Sequence, residues 1–340
     1  MANEKLAIMI FVTMKCNFDC KYCYEDDKKQ NLFMDKKTAD NLIQFVISES
    51  TNKKTSEIQV SFHGGEPLLN FDIIRYIVSK LNNSKDLNNI TIHYGMTTNG
   101  YLLNDEKIDF INSYIDNVSV SLDGKRQTND LYRLDKKGQG TYNVVVKNAE
   151  KLLLLKPDIN VRMTINADTI CDLYGNIKHL VELGYKNIIP VINIWDKKWS
   201  EEKLAALNSI NKTVEQYALN SKKDNIDISL PISREIKSSS CDGGSHSFSI
   251  DPIGNIYPCT ISVGNPEICC GNVVDGLNKE IVINIKNINN MVIEDCVGCN
   301  NYNCCPTVRC KFVNKKFTGR YDCPIPIICY IQNIKLLHKS

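Results

Sequence analysis

The chain has 340 residues, a length at which we expect one large domain and a smaller one. Its formal net charge of +2 gives no electrostatic reason to expect a nucleic-acid partner. The sequence contains no signal peptide and no apolar run of about 20 residues, so it predicts a cytoplasmic protein without a membrane partner.

Fifteen cysteines set this composition apart. The cytosol keeps thiols reduced, so without an export signal we expect metal binding rather than disulfides. Three cysteines lie within residues 16–23, one is Cys171, and eleven lie within residues 241–329. This distribution predicts metal sites at both ends of the chain, whereas the isolated Cys171 is expected to be a small buried residue at a helix start.

The first predicted element is a buried parallel strand over residues 7–13 (AIMIFVT), which leads into residues 16–23 (CNFDCKYC). Three thiolates at this spacing converge without completing a set of four ligands. A [4Fe–4S] cluster binds four, so three would leave one iron open. Structural zinc would need a nearby fourth ligand, but the next cysteine is Cys171 and the nearest histidine is His63.

From there apolar runs typical of strands alternate with amphipathic stretches typical of helices. Strands are predicted over residues 57–62, 90–97, 117–122, 159–165 and 187–194, and helices over residues 35–50, 71–82, 105–113, 142–155, 169–183 and 200–221. This alternation indicates an α/β fold. With six strands in all, it predicts a partial (β/α)6 TIM-type barrel whose chemistry lies at the C-terminal ends of the strands.

The predicted strand ends carry polar and glycine-rich segments. They are residues 64–67 (GGEP), 97–100 (TTNG) and 121–124 (SLDG). Glycines without Cβ atoms let the backbone approach a ligand closely, although each segment also suits an ordinary turn. We leave open whether the neighbouring side chains face a pocket, pack in the strands or cap the next helices; these are His63, Asn166 and Asn193.

The triplet Cys16, Cys20 and Cys23 resembles the CxxxCxΦC signature of the radical S-adenosylmethionine (SAM) enzymes, with Tyr22 at the aromatic position. The resemblance implies that the open iron chelates the amino and carboxylate groups of SAM. One electron from the cluster then cleaves SAM to methionine and a 5′-deoxyadenosyl radical. It also implies the partial barrel. The competing interpretation is a structural cluster or a redox loop.

The same resemblance implies a set of SAM contacts. In the family the GGEP-type motif binds the SAM amino group, and TNG and SLDG segments recur in the peptide- and protein-modifying branch. There a serine and a downstream arginine lie near the SAM ribose and carboxylate, with Arg126 competing here for the arginine role. The implied SAM-binding residues are Tyr22, Gly64, Gly65, Glu66, Asn99, Ser121 and Arg133.

Beyond about residue 230 the alternation stops, so we expect a barrel over residues 1–230 and a small Cys-rich domain over residues 231–340 that needs metal to hold one conformation. The segment DPIGNIYPC predicts a β-hairpin, with Gly254 at the turn bringing Cys259 back toward Cys241. Cys329 lies on a predicted apolar tail helix and is either a ligand or a core residue.

This region resembles the SPASM extension, whose pattern is Cx9–15Gx4C, then CxxCx5CxxxC, then a final cysteine. The first part is met, whereas Arg309 occupies the position of a later cysteine and Cys310 follows one residue late. The resemblance implies two auxiliary [4Fe–4S] clusters, three in all, with a zinc ribbon as the alternative. The first would use Cys241, Cys259 and Cys310, with Cys270 as a candidate fourth ligand; the second would use Cys296, Cys299, Cys305 and Cys323, with Cys304 or Cys329 as alternatives.

SPASM-type enzymes act on peptides or proteins. The resemblance therefore predicts a radical SAM maturase that abstracts hydrogen from a ribosomal peptide and forms a crosslink, a Cys thioether. The alternative is an anaerobic sulfatase-maturing, formylglycine-forming enzyme. Such enzymes carry an acidic base directly after the cysteine that matches Cys259, where this chain has Thr260. From a different class, the chain could be a non-catalytic iron–sulfur electron carrier or a zinc-binding module.

The implied partners are a Cys-containing precursor peptide and a reductant such as flavodoxin or ferredoxin. The chain begins directly at the first strand, so we expect a separate protein or the SPASM surface to bind a peptide leader. An abundance of Asn, Ile and Lys suits an anaerobic bacterium.

Overall fold

The computed structural model describes residues 5–25, 30–230 and 241–337. The strands are β1 Lys5–Thr13, β2 Glu57–Gly64, β3 Thr91–Thr98, β4 Asn117–Ser121, β5 Asn160–Ile165, β6 Asn187–Ile192, β7 Asp227–Ile228, β8 Ser247–Ile250, β9 Asn255–Tyr257, β10 Gly271–Asn272 and β11 Gly276–Leu277. The α-helices are α1 Lys36–Asn52, α2 Phe71–Asn82, α3 Asp105–Tyr114, α4 Arg126–Tyr132, α5 Tyr142–Leu155, α6 Leu173–Glu182, α7 Glu201–Ser221, α8 Lys279–Asn289, α9 Pro306–Arg309, α10 Lys311–Thr318 and α11 Pro326–Leu337.

All the strands belong to one open sheet in the order β11-β10-β9-β8-β1-β2-β3-β4-β5-β6-β7. Strands β1 to β7 run parallel in sequence order, and helices connect successive strands. On the other side of β1, strand β8 also pairs parallel, and β8 to β11 continue antiparallel. The predicted α/β partial barrel of six principal strands is confirmed.

Aliphatic side chains hold the barrel together. In β1, Leu6, Ile8 and Ile10 are almost fully buried, and Leu42 and Val46 of α1 belong to the same core. Sequence signals fix several helix starts: the side chains of Asp35, Asn104 and Ser200 each accept a hydrogen bond from the first turn of α1, α3 and α7, respectively. The period of the apolar residues therefore determined both the strands and the helix faces.

Two features near the middle of the chain differ from the predictions. Helix α4 was not predicted. Residues 170–172 form a short 3₁₀ turn before α6, in which Cys171 is exposed. The prediction that Cys171 is buried is wrong because its neighbours Ile170 and Leu173 occupy the two core positions of this turn.

The region over residues 241–337, called here the cysteine-rich region, begins with the predicted hairpin. Strands β8 and β9 flank a turn at Gly254, whose φ of 89° lies in the range that favours glycine. Helices α8 and α10 were not predicted, whereas the apolar tail helix was, as α11. The domain boundary at residues 230 and 231 stays a prediction, because residues 231–240 lie outside the described residues. None of the described helices has both the length and the apolar character needed to span a membrane.

Candidate active site

The C-terminal ends of the barrel strands surround one cavity of about 470 Å³. Among its lining residues are all those predicted for the N-terminal metal site and for SAM binding, namely Cys16, Cys20, Tyr22, Cys23, Gly64, Gly65, Glu66, Asn99, Ser121 and Arg133. Thr260 of the cysteine-rich region also lines this cavity. The fold therefore brings together strand ends that are distant in sequence and one residue from beyond the barrel.

The loop after β1 carries Cys16, Cys20 and Cys23. Its backbone is fixed by hydrogen bonds from Asp19 N to Leu134 O (2.8 Å) and from Lys21 N to Tyr132 O (3.0 Å). Burial raises the pKa of Cys16 to about 12, and Glu66 and the other two thiols add to the shift because each would place a negative charge nearby.

Three thiols lining one cavity fit a four-iron cluster with one open iron, since each thiolate of such a cluster binds a different iron atom. Within the described ranges, no three His, Cys, Asp or Glu side chains are grouped as ligands of a single metal ion.

Gly64, the last residue of β2, and Gly65 are required by close packing against the backbone that leads into the cysteine loop. A Cβ atom on Gly64 would lie 2.2 Å from Thr13 O, and one on Gly65 would lie 2.3 Å from Lys15 O. Gly65 N and Glu66 N donate hydrogen bonds to these same carbonyl oxygens, at 3.1 and 2.9 Å. From the sequence we expect these glycines to make room for a ligand, but in the structure they approach the backbone that leads into the cysteine loop.

Glu66 is a buried carboxylate that joins the ends of β2 and β3. Its oxygens accept hydrogen bonds from Leu68 N (3.1 Å), the Thr98 hydroxyl (2.7 Å) and Asn99 N (2.7 Å). Burial raises the pKa of Glu66 to about 7 against the effect of these bonds. Because Glu66 forms no salt bridge within the described residues, a ligand that brings an amino group would suit this position.

Asp123 organises the opposite wall. It accepts hydrogen bonds from the Tyr22 hydroxyl, from Arg133 Nη2 (2.9 Å) and from Thr164 N (2.8 Å). The Arg133 guanidinium also lies 5.4 Å from the centroid of the Tyr22 ring. Asp123 is only one residue of the SLDG segment in the sequence, and its role could not be predicted there because burial of the carboxylate depends on tertiary contacts.

The structure separates the two competing arginines. Arg133 lines the cavity, and its buried Nε makes no hydrogen bond within the described part of the chain. Arg126 is not among the lining residues and pairs instead with Asp130 at 3.4 Å on the exposed side of α4. A carboxylate ligand in the cavity would therefore meet Arg133 rather than Arg126.

The structure also shows where His63, Asn166 and Asn193 lie, which the sequence left open. His63 lines the cavity while its ring packs 5.0 Å from that of Phe11. Asn193 lines the cavity as well, and its side-chain amide donates to Asn166 Oδ1 at 2.8 Å. Asn166 is buried behind it and is not a lining residue.

Arg162 and Trp195 are lining residues that sequence reasoning missed. Arg162 lies in β5 and lines the cavity together with the next two residues of the strand, Met163 and Thr164. Trp195 follows β6, and its ring centroid lies 5.4 Å from that of Phe317 in α10. The two-residue period of a strand does not identify Arg162, because consecutive residues of β5 line the cavity, and no sequence pattern joins Trp195 to Phe317.

Electrostatic effects between thiols divide most of the later cysteines into two groups. Burial raises the pKa of Cys310 to about 11, with contributions from Cys259 and Cys241. Burial raises the pKa of Cys329 to about 11 in the same way, with contributions from four other cysteines. The first cysteine group is thus Cys241, Cys259 and Cys310, and the second cysteine group is Cys296, Cys299, Cys305, Cys323 and Cys329.

The remaining alternatives among the predicted ligands make hydrogen bonds of their own. The buried Cys270 thiol donates to Ile256 O at 3.2 Å, and burial raises its pKa to about 12, with contributions from Cys269 and Cys259. The Cys304 thiol donates to Asn301 O at 3.2 Å. Cys304 is thus held by the backbone, whereas Cys270 lies within electrostatic reach of the first cysteine group.

Comparisons with known proteins agree with this geometry. Residues 10–167 match the Radical SAM superfamily. The chain is 31% identical over 181 residues to an uncharacterized protein of Methanocaldococcus jannaschii, a match that covers 53% of this chain and 60% of that one. It is 24% identical to the radical SAM cyclopropyl synthase TigE of Paramaledivibacter caminithermalis, covering 94% of this chain and 72% of TigE.

Two solved structures share the fold. The structure of anSMEcpe with bound AdoMet has a TM-score of 0.81 at 18% identity and covers 98% of this chain and 93% of that chain. The structure of Streptococcus suis SuiB bound to its precursor peptide SuiA has a TM-score of 0.67 at 16% identity, covering 96% and 76%. The predicted partial-barrel fold is confirmed by these structures, and residues 10–167 form a domain of the Radical SAM superfamily.

Proposed function

We propose that this protein is a peptide maturase that forms a crosslink, a Cys thioether, within a ribosomally made peptide. The observation that carries the proposal is that Thr260 lines the same cavity as the cysteine loop and Glu66, directly after Cys259 of the first cysteine group. A substrate in this cavity would lie between two groups of thiols. The barrel and the cysteine-rich region would then act on one substrate.

The radical SAM fold implies a [4Fe–4S] cluster and SAM. Cys16, Cys20 and Cys23 would hold the cluster, Glu66 would accept a hydrogen bond from the SAM amino group, and Arg133 would meet its carboxylate. When both are bound, the cluster and SAM supply a carbon-centred radical that can remove a hydrogen atom from a substrate. The remaining implied contacts, from Tyr22, Gly64, Gly65, Asn99 and Ser121, would shape this site.

A peptide substrate is supported by relatives and by the cavity wall. SuiB has been solved with its precursor peptide, and anSMEcpe shares the fold over nearly the whole chain. The wall away from the cysteine loop combines the apolar side chains of Met163, Val191 and Trp195 with the guanidinium of Arg162. Such a mixed surface suits a peptide side chain better than a small inorganic ligand.

We further propose that the two cysteine groups hold two auxiliary [4Fe–4S] clusters, which gives three in all. In the first group, Cys241 and Cys259 both raise the pKa of Cys310, beyond the larger effect of burial. Three protein thiolates would leave one iron able to bind the cysteine thiolate of the substrate. That position would favour a thioether as the product. A flavodoxin or ferredoxin would supply the reducing electron.

A second candidate is formation of formylglycine, favoured by the likeness to a Clostridium perfringens cysteine-type anaerobic sulfatase-maturating enzyme, 23% identical over 85% of this chain and 84% of that enzyme. That activity calls for an acidic base after the cysteine that matches Cys259. Thr260 stands there, and a hydroxyl is a poor proton acceptor at neutral pH. The carboxylates that line the cavity within the described residues are Glu25 and Glu66 instead.

Mass spectrometry separates the two reactions. The anaerobically purified protein would be incubated with SAM, a reductant and Cys-containing peptides encoded by neighbouring reading frames, and in parallel with a Cys-containing sulfatase peptide. A thioether keeps the sulfur, loses two hydrogen atoms and blocks alkylation of the cysteine, whereas formylglycine loses the sulfur. Loss of sulfur would support the second candidate, and zinc without iron would exclude both in favour of a binding module.

A further inference from the structure

A buried lysine lies between the two cysteine groups. Lys311 is only 1% exposed, and its ammonium group donates a hydrogen bond to Val308 O. Throughout the described ranges no carboxylate forms a salt bridge with it. A buried ammonium is strongly unfavourable unless a negative charge compensates it. The charge of Lys311 therefore requires a partner that the described carboxylates do not provide.

The groups that face Lys311 are thiols from both sides. Burial lowers the pKa of Lys311, and Cys296 of the second group and Cys310 and Cys241 of the first group act against this shift. Lys311 also lines a cavity of about 220 Å³ together with Cys241 and Cys305, again one cysteine from each group. The described lining of this cavity includes a second cation, Arg309, and no carboxylate. A protonated Lys311 in this cavity therefore has two thiols and no carboxylate beside it within the described lining.

The position of Lys311 in its helix is also unfavourable for a positive charge. It is the first residue of α10, directly after Cys310. The free backbone N–H groups at a helix N-terminus carry partial positive charge, so acidic residues are favoured there and lysine is not. A lysine that is both buried and at this end of a helix needs a strong negative charge close to it.

We propose that Lys311 is a redox-tuning residue whose ammonium group compensates the negative charge of both auxiliary clusters and raises their reduction potentials. The inference rests on the auxiliary clusters of the proposed function. Each thiolate adds negative charge to a cluster, and one-electron reduction adds one further negative charge. A fixed cation therefore stabilises the reduced form more than the oxidised form. Net charge around a cluster is one of the factors that set its potential.

Such tuning suits the electron balance of the proposed reaction. Forming C–S from a C–H and an S–H bond releases one hydrogen atom, which goes to the SAM-derived radical, together with one proton and one electron. The electron must reach an acceptor. A cluster whose potential is raised by Lys311 accepts that electron more readily.

The test compares Lys311→Met with Lys311→Arg in the full chain, reconstituted with iron and sulfide. Both variants are made in a Cys16→Ala, Cys20→Ala, Cys23→Ala background, so that only auxiliary clusters contribute to an EPR-monitored redox titration. At the midpoint potential of the parent, we expect the ratio of reduced to oxidised cluster to fall about tenfold in the Met variant, ~59 mV for a one-electron couple. The Arg variant keeps the charge and is expected to stay within about twofold of the parent.

The matched control is Lys315→Met in the same helix, because Lys315 lies over the Tyr321 ring, 5.3 Å from its centroid, and is not among the residues that line the Lys311 cavity. An unchanged ratio in Lys311→Met, or an equal shift in Lys315→Met, would overturn the inference. If the Met variant loses iron, Lys311→Gln is titrated instead by the same criteria. A parent without the roughly eight irons of two four-iron clusters would contradict the proposed auxiliary clusters themselves, which distinguishes the two failures.

Discussion

The barrel buries aliphatic side chains along every principal strand, whereas residues 301–332 of the cysteine-rich region bury as many polar or charged side chains as hydrophobic ones, five of each. In β1, Leu6, Ile8 and Ile10 pack into one continuous core with the helices. Between residues 301 and 332 the buried polar or charged side chains are Asn301, Thr307, Lys311, Asn314 and Gln332. The separate apolar cluster of that segment has only three buried members, Cys305, Ile325 and Ile328.

This difference indicates where each region obtains its stability. A core of buried aliphatic groups stabilises a fold without any ligand, at roughly 25 cal/mol for each Å² of apolar surface removed from water. Residues 301–332 have much less of such a core, and two of their buried polar atoms, Thr307 Oγ1 and Gln332 Oε1, have no hydrogen-bond partner in the described chain, as is also true of Arg133 Nε in the barrel. We therefore expect the barrel to fold without metal and the cysteine-rich region to depend on it.

The largest expected effect is a loss of SAM cleavage in Cys20→Ala without a loss of barrel structure. In Cys20→Ala we expect SAM cleavage to fall to background, because one of three cluster ligands is lost, and total iron to fall from about twelve to about eight per chain. The aliphatic core of the barrel does not depend on the N-terminal cluster. The far-UV circular dichroism spectrum of Cys20→Ala should therefore match that of the parent. Anaerobic incubation with SAM and quantification of 5′-deoxyadenosine measures the effect.

Exposed Cys171 provides the control for that substitution. Cys171→Ala removes a thiol outside all three groups and should leave both iron content and SAM cleavage at the parent level. Parent-level cleavage in Cys20→Ala would contradict the assignment of the N-terminal cluster.

Removal of iron should destabilise the cysteine-rich region more than the barrel. After anaerobic chelation we expect amide hydrogen exchange to accelerate by at least about tenfold over residues 301–323, which include α9 and α10, because local opening costs less without the cross-link that metal provides. Exchange in β1 to β3 should change little. Mass spectrometry of peptic fragments resolves the two regions, and equal acceleration in both would show that they unfold as one unit.

Within the site, Glu66→Gln should weaken SAM binding. The substitution removes the charge of an acceptor buried against Thr98 and Asn99, and a hydrogen bond to a charged group contributes about 2 kcal/mol, or roughly 30-fold in Kd. Isothermal titration of the reconstituted protein with SAM measures this. Glu106→Gln, at an exposed carboxylate paired with Arg75, is the control expected to bind like the parent.

The pH dependence of SAM binding sharpens this prediction. Burial raises the pKa of Glu66 to about 7, so the carboxyl gains its proton as pH falls through 7 and can then no longer offer a charged acceptor. Below pH 7 we expect SAM affinity to fall in the parent, and this fall should be smaller in Glu66→Gln. Equal pH profiles for the two proteins would show that another group is responsible.

The two regions also differ in how far their sequences predicted them. In the barrel, the apolar period determined the six strands to within two residues, and motifs after the strands identified residues that line one cavity. The cysteine-rich region has no such period. Spacing alone could not decide whether Cys304 or Cys329 belongs with Cys296, because that depends on how α11 packs. Nor could it indicate that Lys311 is buried, since a lysine at a helix start normally reaches solvent.

The smallest expected effect concerns the contact between the regions. Trp195, on the barrel side of the cavity, and Phe317, in α10, lie with ring centroids 5.4 Å apart. A double-mutant cycle with Trp195→Ala and Phe317→Ala should give a coupling of about 1 kcal/mol in the free energy of unfolding, the usual range for an aromatic pair. If metal alone orders the cysteine-rich region, this coupling should be present in the iron-loaded protein and vanish after chelation. A coupling that persists without iron would mean that the barrel itself orders α10.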